Sequence, residues 1–118
     1  MANSKEKHKF DLEERTFKFA RACANHTRSF KKDFAALEQA RQLVRSSGSV
    51  AANYIEANES LSKKDFRMRI KICRKEAKES MLWLKLLDQS PEGQPQNNLL
   101  REAGELVKIF SSIAKKFE

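Results

Sequence analysis

The chain has 118 residues, with 24 Lys or Arg against 16 Asp or Glu and a formal net charge of +8. That length can bury one core without disulfide or metal staples. No apolar run approaches the roughly 20 residues that span a bilayer, and Met1 to Lys9 lacks the apolar centre of a signal peptide, so a soluble cytoplasmic protein with no membrane partner is expected.

The charge is unevenly placed. Residues 1–32 hold nine bases and four acids, and residues 62–90 again nine and four, whereas 33–61 hold two and four and 91–118 four of each. This favours a patterned surface over a uniformly basic one. Cys23 and Cys73 have no short spacing between them, which excludes a disulfide framework or metal knuckle. They read as small buried hydrophobes in a reducing compartment.

In chain order, residues 1–10 read as a basic, flexible N-terminus. A first helix is expected near 11–29, with Leu12, Thr16, Phe19 or Ala20, Cys23 and Thr27 spaced by threes and fours. Phe30 to Asp33 forms a short connection. A second helix is expected near 34–59, on an a/d ladder of Leu37, Ala40, Val44, Ser47, Ala51, Tyr54, Asn58 and Leu61. The ladder keeps its phase through Ser46-Ser47-Gly48-Ser49, so that run reads as helix, with small side chains that let a neighbour approach closely. Ser62 caps a third helix near 62–88, with Ser62-Lys63-Lys64-Asp65 a short-armed variant of the capping box. Ser90-Pro91-Glu92-Gly93-Gln94-Pro95 is the clearest break. A fourth helix near 97–117 carries Leu99, Ala103, Leu106, Phe110, Ile113 and Phe117 on one stripe. Short connections make neighbours antiparallel, so residues 11–118 are expected to form one all-α, up-down-up-down four-helix bundle.

The third helix has three working sides. Phe66, Ile70, Cys73, Ala77 and Leu84 point one way, towards the bundle. Arg67, Lys71, Arg74, Lys78 and Lys85 fall within about 60° of arc, roughly 100° from that core direction. Exposed helices usually alternate charge signs to gain i,i+4 pairs, so a narrow cationic stripe suggests a polyanionic partner. Lys5, Lys7 and Lys9 could supplement it. Aromatics are not interleaved with the bases, so phosphate-backbone contact with structured RNA or DNA fits better than stacking on single strands. Met68, Ile72, Trp83 and Leu86 make a second apolar strip about 145° from the core, which suggests self-association.

Other chemistry is thin. Glu56/Glu59 and Glu76/Glu79 resemble the start of a carboxylate metal site. Di-iron bundles need Glu-x-x-His on two helices, and neither His8 nor His26 has a Glu three residues before it. Ion pairs with Lys75, Lys78 or Arg74 along the helices are the simpler reading. Asn53, Glu56 and Glu76, with Tyr54, are expected in a buried polar network that fixes helix register. No phosphate loop, nucleophile–base arrangement, cofactor or metal site is expected.

The run from Gln42 to Asn58, QLVRSSGSVAANYIEAN, resembles the four-helix-bundle proteins encoded in intervening sequences of bacterial 23S rRNA genes. So do Ser62-Lys-Lys-Asp-Phe66, Lys71-Ile-Cys-Arg-Lys-Glu-Ala-Lys-Glu-Ser80 with Trp83-Leu84, and Asp11-Leu-Glu-Glu-Arg-Thr16 with Phe19-Ala20. The likeness covers about 11–88 in motifs and the fourth helix by pattern. It implies a left-handed antiparallel bundle assembled into a ring, a homopentamer in its best-known state, with no established enzyme activity. A distantly similar group comprises the accessory proteins of diversity-generating retroelements, which bind nucleic acid and a reverse transcriptase.

The residues therefore lead to a non-enzymatic homo-oligomer that binds structured nucleic acid, rRNA or other RNA or DNA, through the basic stripe. The alternative is an oligomeric scaffold for a protein partner, such as a reverse transcriptase or another nucleic-acid enzyme. A small enzyme built on Asn53, Glu56 and Glu76 is the remaining reading.

Overall fold

A computed structural model describes residues 4–29, 32–87 and 94–118, with side chains from residues 11 and 96 in the first and last of these segments. Four helices make up the fold: α1 Ser4–Arg28, α2 Phe34–Asn58, α3 Lys63–Leu86 and α4 Gln94–Lys116. The chain therefore forms an all-α four-helix bundle, 45 × 27 × 19 Å overall. Among the described residues each helix packs against its chain neighbours and α1 closes against α4, while the diagonal α2 and α4 meet across the core through side chains. The cross-section is a four-cornered ring of helices.

Local chemistry sets the helix starts. Asp33 is the N-cap of α2: its carboxylate accepts the Ala36 amide at 2.8 Å. Ser62 caps α3 as expected, its hydroxyl accepting the Asp65 amide at 3.1 Å. Each cap satisfies a donor the helix leaves open, worth about 1 kcal/mol. Pro95 lies in the first turn of α4, where its missing amide costs nothing, so α4 starts at Gln94 rather than near Asn97. α1 starts at Ser4 rather than near Asp11, because the Lys- and Glu-containing stretch expected to be flexible is built of good helix formers. The connection at 30–31 and most of the Ser90–Pro95 break lie outside the described residues.

The core is built from Phe19, Leu43, Ile70, Leu84, Leu106 and Phe110, each at most 2% exposed; each such burial is worth about 1.5–3 kcal/mol. Tyr54 packs on Phe110 with ring centroids 6.0 Å apart, and Phe66 on Phe117 at 4.8 Å. α1, α3 and α4 bury the stripes their spacing indicates.

α2 does not follow its expected ladder. Its buried residues are Ala36, Ala40, Leu43, Ser46, Ser47, Val50, Tyr54 and Ala57, while Leu37 and Val44 are about half exposed and Leu61 is fully exposed. The physical reason is that α2 has two neighbours. A buried arc between α1 and α3 must include positions 43, 46, 50 and 57, and a strict 3.5-residue ladder traces only its α1-side edge.

The small-residue run does bring helices together, but through its serines. Ser46 and Ser80 hydroxyls hydrogen-bond at 2.8 Å across the α2–α3 seam, and the Ser47 hydroxyl lies beside the Cys23 thiol across the α1–α2 seam. Gly48 takes no part: a side chain added there would meet nothing within 4 Å. One turn further along, the Cys73 thiol donates to the Val50 carbonyl at 3.6 Å. Burial pushes both thiols up to about 12, so each stays protonated and unreactive. Among the described residues, no helix is long and apolar enough to cross a membrane, and no group of His, Cys, Asp and Glu could hold a metal ion.

Candidate nucleic-acid interface

The five cations of the α3 stripe lie on the edge of α3 that borders α4. Arg67 fixes this placement, its guanidinium reaching Glu118, just past the end of α4, at 3.6 Å. Arg67, Lys71 and Arg74 are half-buried, and Lys78 and Lys85 are exposed. Partial burial of a long basic side chain is compatible with a charged tip in water, because the methylene stem covers the neighbouring helix.

The same contact identifies cations the sequence reading passed over. On α4, Gly104 and Ser111 lie in line with Glu118 just past the helix end, and this row borders α3, since the positions are seven residues apart and Glu118 touches Arg67. Three residues before each lies Arg101, Lys108 or Lys115, all exposed, about 60° further round the helix. The five cations of α3 and these three of α4 thus share one long face. Their seven-residue spacing was visible in the sequence. What it lacked was the docking of α3 on α4, without which α4 reads as charge-balanced. Among the described residues, Lys71, Arg74, Lys78, Lys85, Arg101, Lys108 and Lys115 form no ion pair, and Glu118 is the acid that touches the face.

Two arginines elsewhere are committed to acids. Arg15 of α1 clamps Glu102 of α4 with two hydrogen bonds of 2.7 Å, which raises its pKa further and closes the α1–α4 seam. Arg45 of α2 bridges to Glu76 at 3.2 Å and also to Glu79. Burial would raise the Glu79 carboxyl, but hydrogen bonds from Arg45 and from the Trp83 indole, the latter at 3.2 Å, outweigh it and hold it below the usual range.

The expected polar network of Asn53, Glu56 and Glu76 is not one network. Glu56 is exposed, because its position on α2 points away from both neighbours. Asn53 donates to the Ser49 carbonyl and hydroxyl, both at 2.9 Å, and accepts from Arg69 at 3.0 Å. Glu76 is buried and its partner is Arg45 across the seam, not a lysine or Arg74 along its own helix. Tyr54 is also buried, its phenol pushed up to about 12 chiefly by burial, with a hydrogen bond to Asn58 opposing. Asn58 donates to Glu13 of α1 at 2.9 Å. These contacts set register between helices and leave no acid–base pair facing an open site.

The strip Met68, Ile72, Trp83 and Leu86 lies on the opposite flank of α3, beside α2. Met68 is 50% and Leu86 45% exposed, and Ile72 and Trp83 are half-buried.

The antiparallel bundle, with the motifs of α2 and α3, has a match among known families. The profile of the 23S rRNA-intervening sequence protein family covers residues 8–112. The chain belongs to that family. The fold has a solved counterpart in a protein of unknown function from the S23 ribosomal protein family of Bacteroides thetaiotaomicron, with a TM-score of 0.77 and 26% identity. The match covers 88% of this chain and 98% of that one. No curated protein matches the chain.

Proposed function

We propose that this family member is a non-enzymatic homo-oligomer that binds structured nucleic acid, RNA or duplex DNA, through the cationic α3–α4 face. The observation that carries the reading is the row of cations from Arg67 to Lys85, extended by Arg101, Lys108 and Lys115, of which Arg67 alone has an acid partner among the described residues. Such a face contacts phosphates rather than base edges, so binding is strongly salt-dependent and largely blind to sequence. The exposed Met68 and Leu86 support self-association, and the family likeness implies five copies. A repeated face would multiply weak single contacts. The commitment of Asn53, Glu76 and both thiols to internal contacts supports a non-enzymatic role.

The test is a mobility-shift series with duplex DNA and a hairpin RNA at rising salt. Converting Arg67, Lys71, Arg74, Lys78 and Lys85 to Glu is expected to abolish the shift while far-UV circular dichroism stays helical. Unchanged binding by that folded variant overturns the assignment of the face. A protein partner captured equally well after nuclease treatment would favour the scaffold reading.

A further inference from the structure

The cations of the α3–α4 face are in register across the seam. Arg67 meets Glu118 at 3.6 Å, and Phe66 packs on Phe117 at 4.8 Å. The two helices are antiparallel, so each step along α3 away from these contacts is matched by a step back along α4. Lys71 then lies level with Lys115, Lys78 with Lys108 and Lys85 with Arg101, each to within a turn of helix. Successive pairs are seven residues apart on both helices, or about 10 Å along the seam. Arg74 lies between the first two pairs, and Arg67 lies beyond the first.

The pairs flank a narrow channel. Packed helix axes are about 8–10 Å apart, so a cation on each helix reaches the same strip of seam. Gly104, on the α4 row that borders α3, lies between the second and third pairs. A side chain added there would meet nothing within 4 Å, so the channel is open at that point.

Charge density and shape narrow the ligand. The cations from Arg67 to Lys85, with their α4 partners, lie within about 27 Å of helix, close to one charge per ~3–4 Å. Five of the eight are lysines, whose compact ammonium acts on phosphate as a point charge. No aromatic side chain is interleaved with them on which a base would stack. A duplex carries its phosphates on a wide, stiff cylinder and rests on the cation tips. A linear chain of phosphoanhydride units carries a negative charge on every phosphorus. It is thin and flexible enough to lie in the channel itself.

We infer that the α3–α4 seam is a binding channel for linear inorganic polyphosphate, held from both sides by the pairs Lys71/Lys115, Lys78/Lys108 and Lys85/Arg101. Glu118 screens only the Arg67 end, and among the described residues no acid pairs with these six cations. Weak contacts at successive pairs add up for a chain long enough to span them, so affinity rises with chain length. Bound polyphosphate covers the cations and competes with nucleic acid. The inference rests on the proposed function for the face being an open electrostatic surface, not for the nucleic acid it takes there.

Two titrations of the unmodified chain test it: calorimetry with polyphosphate long enough to span the face, and displacement of a labelled duplex by the same polyphosphate. Binding and displacement are expected. Tripolyphosphate at equal phosphorus concentration and ionic strength is expected to do neither. Lys78→Gln with Lys108→Gln removes the middle pair and is expected to weaken polyphosphate binding by about fivefold or more. Lys18→Gln with Arg21→Gln removes the same charge from exposed positions on α1 and is expected to change it by less than about twofold. Gly104→Leu fills the channel without altering charge. It is expected to weaken polyphosphate binding while duplex affinity stays level, and circular dichroism confirms that each variant folds. A chain that binds duplex but not polyphosphate overturns the channel and leaves the nucleic-acid reading standing. So does polyphosphate binding that the middle-pair and Gly104 variants leave intact, that the α1 variant weakens equally, or that tripolyphosphate matches. A chain that binds polyphosphate but no duplex supports the channel and overturns the nucleic-acid reading.

Discussion

Arg67 on α3 and Glu118, just past the end of α4, meet at 3.6 Å, and this contact both aligns the cations of the two helices and partly neutralises their shared face. Replacing Glu118 with Gln frees Arg67 and removes the one acid that touches the face among the described residues. A partly exposed pair of this kind is worth up to ~1 kcal/mol. Glu118→Gln is therefore expected to tighten duplex DNA binding by up to about fivefold at low salt, read by fluorescence anisotropy.

The α4 cations are expected to act as phosphate contacts rather than sequence readers. Changing Arg101, Lys108 and Lys115 together to Gln should weaken binding to unrelated duplexes alike. It should also lower the slope of log affinity against log salt by about 2–3, close to one unit per lost contact. A titration series at several salt concentrations measures this slope. Thermal stability should change little, because these side chains are exposed and form no ion pair among the described residues.

The α2–α3 seam separates two kinds of small residue. Ser46→Ala leaves Ser80 without its cross-helix partner and is expected to cost about 1 kcal/mol. Ser46→Leu overpacks a fully buried position and is expected to cost about 1–3 kcal/mol. Gly48→Ala, two residues on, has open space for its methyl and should stabilise the helix by up to ~1 kcal/mol. Urea unfolding midpoints of the three variants test the ordering.

Much of this architecture was legible in the sequence. The Ser62 cap, the α3 core stripe and the α4 stripe follow from spacing and cap chemistry, because each helix there buries one continuous arc. The α2 stripe was misplaced because periodicity gives an apolar arc but not the number of neighbours that share it. Leu37 and Val44 belong to the pattern yet lie at its open edge. The partners of Glu76 and Arg67 were not legible either. Both are long-range pairs, Arg45–Glu76 and Arg67–Glu118, and helix spacing informs only contacts three or four residues apart. Glu56 was grouped with Asn53 on sequence proximity, although three residues around a helix turn it outward.

Alkaline pH should loosen the bundle. Cys23, Cys73 and Tyr54 are pushed up to about 12 in the folded chain, chiefly by burial. A group whose folded pKa is raised contributes fully below its unfolded value, ~8.5 for a thiol. That contribution is lost as pH rises towards the folded value. At pH 10 each thiol is expected to account for a loss of about 2 kcal/mol. Urea midpoints should be flat from pH 6 to 8 and fall by pH 10, and the fall should shrink when both cysteines are replaced by Ala.

The central claim is that the α3–α4 face is an electrostatic binding surface for structured nucleic acid. The most direct measurement is the affinity of the unmodified chain for a duplex between 50 and 200 mM salt, expressed per bound chain. Five to eight phosphate contacts at ~0.9 counterion each predict a slope of about −4 to −7 in log affinity against log salt. A slope near zero, or no binding at the lowest salt, contradicts it.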